Sequence, residues 1–85
     1  MNLYLVSQTT NENYDTYDSF VIAAPDESTA RNAHPRTGEP LDWPKVQADS
    51  YPEWCRTPED VTCQLIGVAA DGVKPGVLCS SYNAG

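Results

Sequence analysis

Five of the chain's seven prolines fall within residues 35–60, at Pro35, Pro40, Pro44, Pro52 and Pro58. Proline fixes φ, removes a backbone donor and turns the preceding residue away from the helical region. No long helix and no central strand can therefore run through this stretch, and regular structure is confined to its flanks. The stretch also holds Gly38 and six acids. An irregular segment of this length is unusual in so short a chain, and such segments are as a rule functional or mobile. Trp43, Tyr51 and Trp54 are its expected anchors, folded back over the edge of a sheet. A contact role for one of them is the alternative, because tryptophan and tyrosine dominate interface hot spots.

The flanks carry period-two patterning. Residues 2–8 form a first strand, closed by the polar run Thr9-Thr10-Asn11-Glu12-Asn13. Residues 17–24 form a second, and the short polar connection predicts an antiparallel hairpin. Residues 25–34 read as a helix of two to three turns, with Pro25 in its first turn, Asp26 and Glu27 complementing the dipole, and Pro35 as its stop. Only Ala30 and Ala33 are apolar on it, so it must lie close against the sheet. Residues 61–69 and 77–82 form a third and a fourth strand, expected to pair as a second hairpin across the turn Asp71 to Gly76. The fold class is α+β: residues 1–85 as one domain, β-β-α-loop-β-β, an antiparallel sheet with one short helix on one face. An 85-residue chain buries roughly 60–65% of its unfolded surface, enough for one thin core.

Charge narrows the partners. Twelve acids against five lysines and arginines give a net charge of −7. That balance argues against direct nucleic-acid binding and against an anionic membrane surface, because both need cations. No apolar run approaches the about 20 residues of a membrane span, and the strand-like start carries no basic n-region of a signal peptide. A basic protein partner fits the charge; so does plain solubility. The first thirty residues contain five acids and no lysine or arginine. Within them lies Tyr14-Asp15-Thr16-Tyr17-Asp18, where tyrosines beside carboxylates suit a partner presenting arginine or lysine. In the alternative, Tyr14 and Tyr17 pack at the hairpin end while Asp15 and Asp18 solvate the turn.

Catalytic and metal chemistries find little support. Cys55, Cys63, Cys79 and His34 match a zinc set in number, but the nearest two cysteines are separated by seven residues instead of the usual close pair. Three free thiols behaving as small hydrophobes are the simpler expectation, and their odd number suits a reducing compartment. His34, at the end of the expected helix, is satisfied by the dipole there and need not serve as the base of a cysteine nucleophile. Acid pairs are too numerous to single one out for acid–base work, and the five glycines are too scattered for a phosphate loop. The expectation is a protein that is not an enzyme, with no cofactor and no metal.

Several segments resemble a family of short acidic proteins encoded by bacteriophages and prophages. They are Leu3 to Gln8, Tyr14 to Ser19, Ala23-Ala24 with Ala30-Arg31 and His34-Pro35, then Ile66-Gly67 and Ser81 to Gly85. The resemblance covers both ends of the chain and is loose in the proline-rich middle, around Trp54. The family is largely uncharacterised, so the resemblance implies a context, the cytoplasm of a host cell. Small phage proteins of this size and charge often look like antagonists of host defence, as anti-CRISPR proteins are by occupying a site on their target. On that expectation the partner is a host protein with a basic surface, such as a CRISPR–Cas or other defence complex, and the contacts are Tyr14, Asp15, Tyr17, Asp18, Trp43 and Trp54. The alternative is a homo-oligomeric protein that binds a small molecule or nucleotide and sequesters a defence signal. Only Arg31, Arg36, Lys45, Arg56 and Lys74 are available there to meet an anionic ligand.

Overall fold

The structure, a computed structural model, describes residues 1–84. Its order is β1 (Asn2–Ser7), β2 (Thr16–Ala24), α1 (Glu27–Arg31), α2 (Trp43–Ala48), a 3-10 turn (Pro58–Asp60), β3 (Thr62–Val68) and β4 (Gly76–Asn83). All four strands pair antiparallel in one sheet of order β3-β1-β2-β4. The fold is a small α+β domain, as its patterning predicts. β1 and β2 form the central hairpin, with Leu5 opposite Val21 and Val6 opposite Phe20.

Period two decides the faces. Tyr4, Val6, Phe20, Ile22 and Ala24 point to one side, where they are buried with Ala30 and Ala33, Trp54, Cys55 and Val61. Phe20 and Trp54 meet edge to face with ring centroids 5.3 Å apart, a favoured arrangement of aromatic quadrupoles. Asp26 caps the start of helix α1, its side chain accepting from the Thr29 amide at 2.8 Å, and Asn32 closes the helix after five residues. That same hydrogen bond holds the Asp26 carboxyl below its ordinary pKa. Buried Ala30 lets the helix lie close to the sheet, and the Arg31 guanidinium donates to the Val61 carbonyl at 3.2 Å.

Three expectations need correction. β3 and β4 do not form a hairpin; they occupy opposite edges of the sheet. The β1–β2 hairpin carries the most buried strands and exposes two free edges, and one late strand on each satisfies both. The connection from Val68 to Gly76 crosses three strand spacings, about 14 Å, which seven residues span without strain. The second correction is α2, where Asp42 caps by accepting from the Lys45 amide. Pro44 sits in its first turn, the one place in a helix where a missing N–H is harmless. The third is the extent of α1, which covers Glu27–Arg31 instead of residues 25–34: Pro25 precedes its cap, it ends at Asn32 and not at Pro35, and His34 lies beyond it. The His34 Nδ1 accepts from the amides of Arg36 and Thr37, at 3.0 and 3.3 Å.

Candidate functional site

The polar connection between β1 and β2 is built, not floppy. Gln8 is buried; its Nε2 donates to the carbonyls of Asn11 and Tyr17 at 2.8 and 2.9 Å, and its Oε1 accepts from the Asn11 amide at 2.8 Å. The Asn11 side chain then donates to the carbonyls of Pro52 and Trp54, at 3.0 and 2.9 Å. The Tyr17 amide donates to the Glu53 carbonyl at 2.8 Å. Two segments far apart in sequence are thus clamped side by side, and the gap between them is a cleft of about 400 Å³. From the turn it is lined by Asn13, Tyr14 and Asp15, and from the opposite wall by Tyr51, Arg56 and Asp60.

Two tyrosines reach into solvent at this cleft: Tyr14 is 75% exposed and Tyr51 is 90% exposed. The Arg56 guanidinium is fixed through Nη1, which donates to the carbonyls of Gln47 and Asp49 at 3.3 and 2.8 Å. Among the described residues only Arg36 and His34 have a carboxylate partner, both on Glu53, so the Arg56 charge is held in place but not neutralised. Asp60 accepts from the Thr57 hydroxyl at 2.9 Å. Asp15 adopts φ 60°, in the left-handed region, with its amide donating to the Asn83 carbonyl and its carboxylate accepting from the Tyr82 hydroxyl at 3.1 Å. Aspartate tolerates this conformation better than most residues because its short side chain bonds locally.

The contact residues expected from sequence do not gather. Tyr14 and Asp15 line the cleft. Asp18 is exposed where β2 shifts register, bonded to the Ser19 hydroxyl, and does not line the cleft. Trp43 is half-buried, and its Nε1 donates to Asn32 at 3.0 Å. Tyr17 and Trp54 need correcting as contact residues, because both sit in the core at 8% and 2% exposure. Large aromatics facing a sheet are drawn inside by their area, and the Tyr17 ring also lies 4.7 Å from that of Tyr82. Tyr51 departs from expectation the other way: the tyrosine read as an anchor is the most exposed large apolar side chain described. Asn11 and Asn13, read only as strand-ending residues, turn out to frame the site, and an amide-rich turn beside Tyr-Asp was the signal available.

The thiols and the histidine lie apart from this chemistry. Cys55 is buried with its Sγ donating to the Thr57 carbonyl, and burial pushes its pKa up to about 12. Burial also raises Cys63, whereas Cys79 is exposed, contrary to the expectation of buried thiols. His34 Nε2 faces Glu53 at 3.7 Å, and desolvation pulls its pKa below the ordinary value despite that carboxylate. No family model, curated protein or solved structure matches the chain.

Proposed function

We propose that the chain is a binding protein whose cleft takes a nucleotide-sized ligand, in the manner of a phage-encoded sequesterer of a host defence signal. The observation that carries this is the set Tyr14, Tyr51 and Arg56: two exposed phenol rings and a pre-fixed, unneutralised guanidinium around one cleft of about 400 Å³. That volume lies in the range of ligand sites, roughly 300–1,000 Å³. Aromatic faces stack on bases, a guanidinium meets a phosphate, and Asn13 offers further donors and acceptors. Asp15 and Asp60 suit ribose hydroxyls, which donate to carboxylates, and they disfavour a heavily charged ligand.

A second reading is favoured by the acids themselves. Tyr14, Asp15, Asp18 and Glu12 are all exposed, and together they suit an arginine-bearing segment of a host protein. A thermal-shift comparison separates the two. Saturation at a hundred times Kd stabilises by about 2.7 kcal/mol, a rise of about 10–20 °C in a domain this small. The sequestration reading predicts such a rise with one member of a set of linear and cyclic adenine and guanine nucleotides, and none with arginine-rich peptides. A rise with the peptides alone would move the assignment to a basic protein partner.

A further inference from the structure

Among the side chains that line the cleft, one is cationic and two are anionic: Arg56 stands against Asp15 and Asp60. Arg56 commits one arm of its guanidinium to the protein, Nη1 donating to the Gln47 and Asp49 carbonyls. Its Nε–H and Nη2–H edge meets no acceptor among the described residues. Those two donors are parallel, the fork that grips two oxygens of one phosphate group. The acids are tethered as well. The Asp15 carboxylate accepts from the Tyr82 hydroxyl at 3.1 Å, and that of Asp60 from the Thr57 hydroxyl at 2.9 Å.

On the nucleotide reading of this cleft, on which the inference rests, we propose that the ligand carries a single phosphodiester charge, as a cyclic mononucleotide does. Asp15 and Asp60 are then the specificity residues that turn away phosphate monoesters and polyphosphates. A diester has two non-bridging oxygens sharing one charge. One guanidinium edge satisfies both oxygens and neutralises the group. A terminal monoester has three such oxygens and carries about −1.5 to −2 at pH 7. Its excess charge would face two carboxylates, with no second cation lining the cleft. Each further phosphate adds to that deficit, in a chain whose net charge is already −7. Asp15 and Arg56 are exposed, so salt weakens the discrimination by screening it.

Calorimetric titration of a matched series on each purine base tests this: the nucleoside, its cyclic monophosphate, its open monophosphate, its triphosphate and a cyclic dinucleotide. The cyclic monophosphate is expected to bind tightest and the open monophosphate about tenfold more weakly, with the triphosphate and the dinucleotide weaker again. An Asp15→Asn, Asp60→Asn variant keeps both acceptor oxygens, and asparagine also tolerates the left-handed backbone at position 15. In it the open monophosphate should gain more affinity than the cyclic one, closing the gap between them, a change of ratio that damage to the fold would not produce. Arg56→Gln should bring the cyclic compound down to the affinity of the nucleoside. Tightest binding of the triphosphate or the dinucleotide would overturn the inference and leave the nucleotide cleft standing. So would equal affinity for nucleoside and cyclic compound, or an unchanged ratio in the double variant. No binding anywhere in the series would overturn both.

Discussion

Asp15 carries two demands in one residue. Its φ of 60° turns the chain into β2, and its carboxylate holds the Tyr82 hydroxyl of the neighbouring strand β4. A β-branched side chain cannot share that backbone region cheaply, so Asp15→Val should destabilise by about 1–2 kcal/mol in urea unfolding. Asp15→Gly should fall within about 0.5 kcal/mol of wild type, because glycine adopts the turn freely and gives up only an exposed hydrogen bond. Trp54 behaves differently from the exposed tyrosines. It is fully buried against Phe20, and its Nε1 has no partner among the described residues. Trp54→Ala should cost about 3–5 kcal/mol, close to the whole stability of a small domain, and circular dichroism should show the loss as unfolding. Tyr51→Ala, at a side chain that packs on nothing, should leave the spectrum and the melting temperature almost unchanged.

Among the elements, local pattern carried what local physics decides. Alternation in Leu3 to Val6 and in Phe20 to Ala24 located β1 and β2, and Asp26 with Glu27 located the start of α1. The pairing of β3 with β1 and of β4 with β2 was not legible, because a strand's partner depends on which edges remain free after the first hairpin forms. The turn at Asp71-Gly72 is real in its own hydrogen bond from Val73 to the Ala70 carbonyl, yet it leads across the sheet end instead of back along it. Helix α2 was hidden by Pro44, a breaker anywhere in a helix except the first turn it occupies. The site suffered the same limit. Tyr14 and Asp15 were visible as a dense aromatic and acidic pair, but the opposite wall comes from Tyr51 and Arg56, brought there by the long-range bonds of Asn11. No local pattern reports a contact across some forty residues.

At the scale of the whole molecule, one thin core supports a cleft at one end, and both edge strands of the sheet are uncharged. Stability should fall on mild acidification through His34. Desolvation lowers its pKa in the folded state, so below the ordinary value of 6.5 the unfolded chain binds more protons than the folded one. The stabilising term is present above that value and is lost as pH drops through 6.5 toward the folded pKa. Urea unfolding between about pH 5 and pH 7 should therefore give a stability that rises with pH, and His34→Gln should flatten the slope even where it lowers the total. The cleft claim has a more direct test, calorimetric titration of the nucleotide that gives the largest thermal shift into wild type and into Tyr14→Ala, Tyr51→Ala and Arg56→Ala. The account predicts one site per chain in the wild type, with each tyrosine variant losing about 1–3 kcal/mol of binding and Arg56→Ala losing at least as much, all with unchanged circular dichroism. Full-strength binding in all three variants would contradict it.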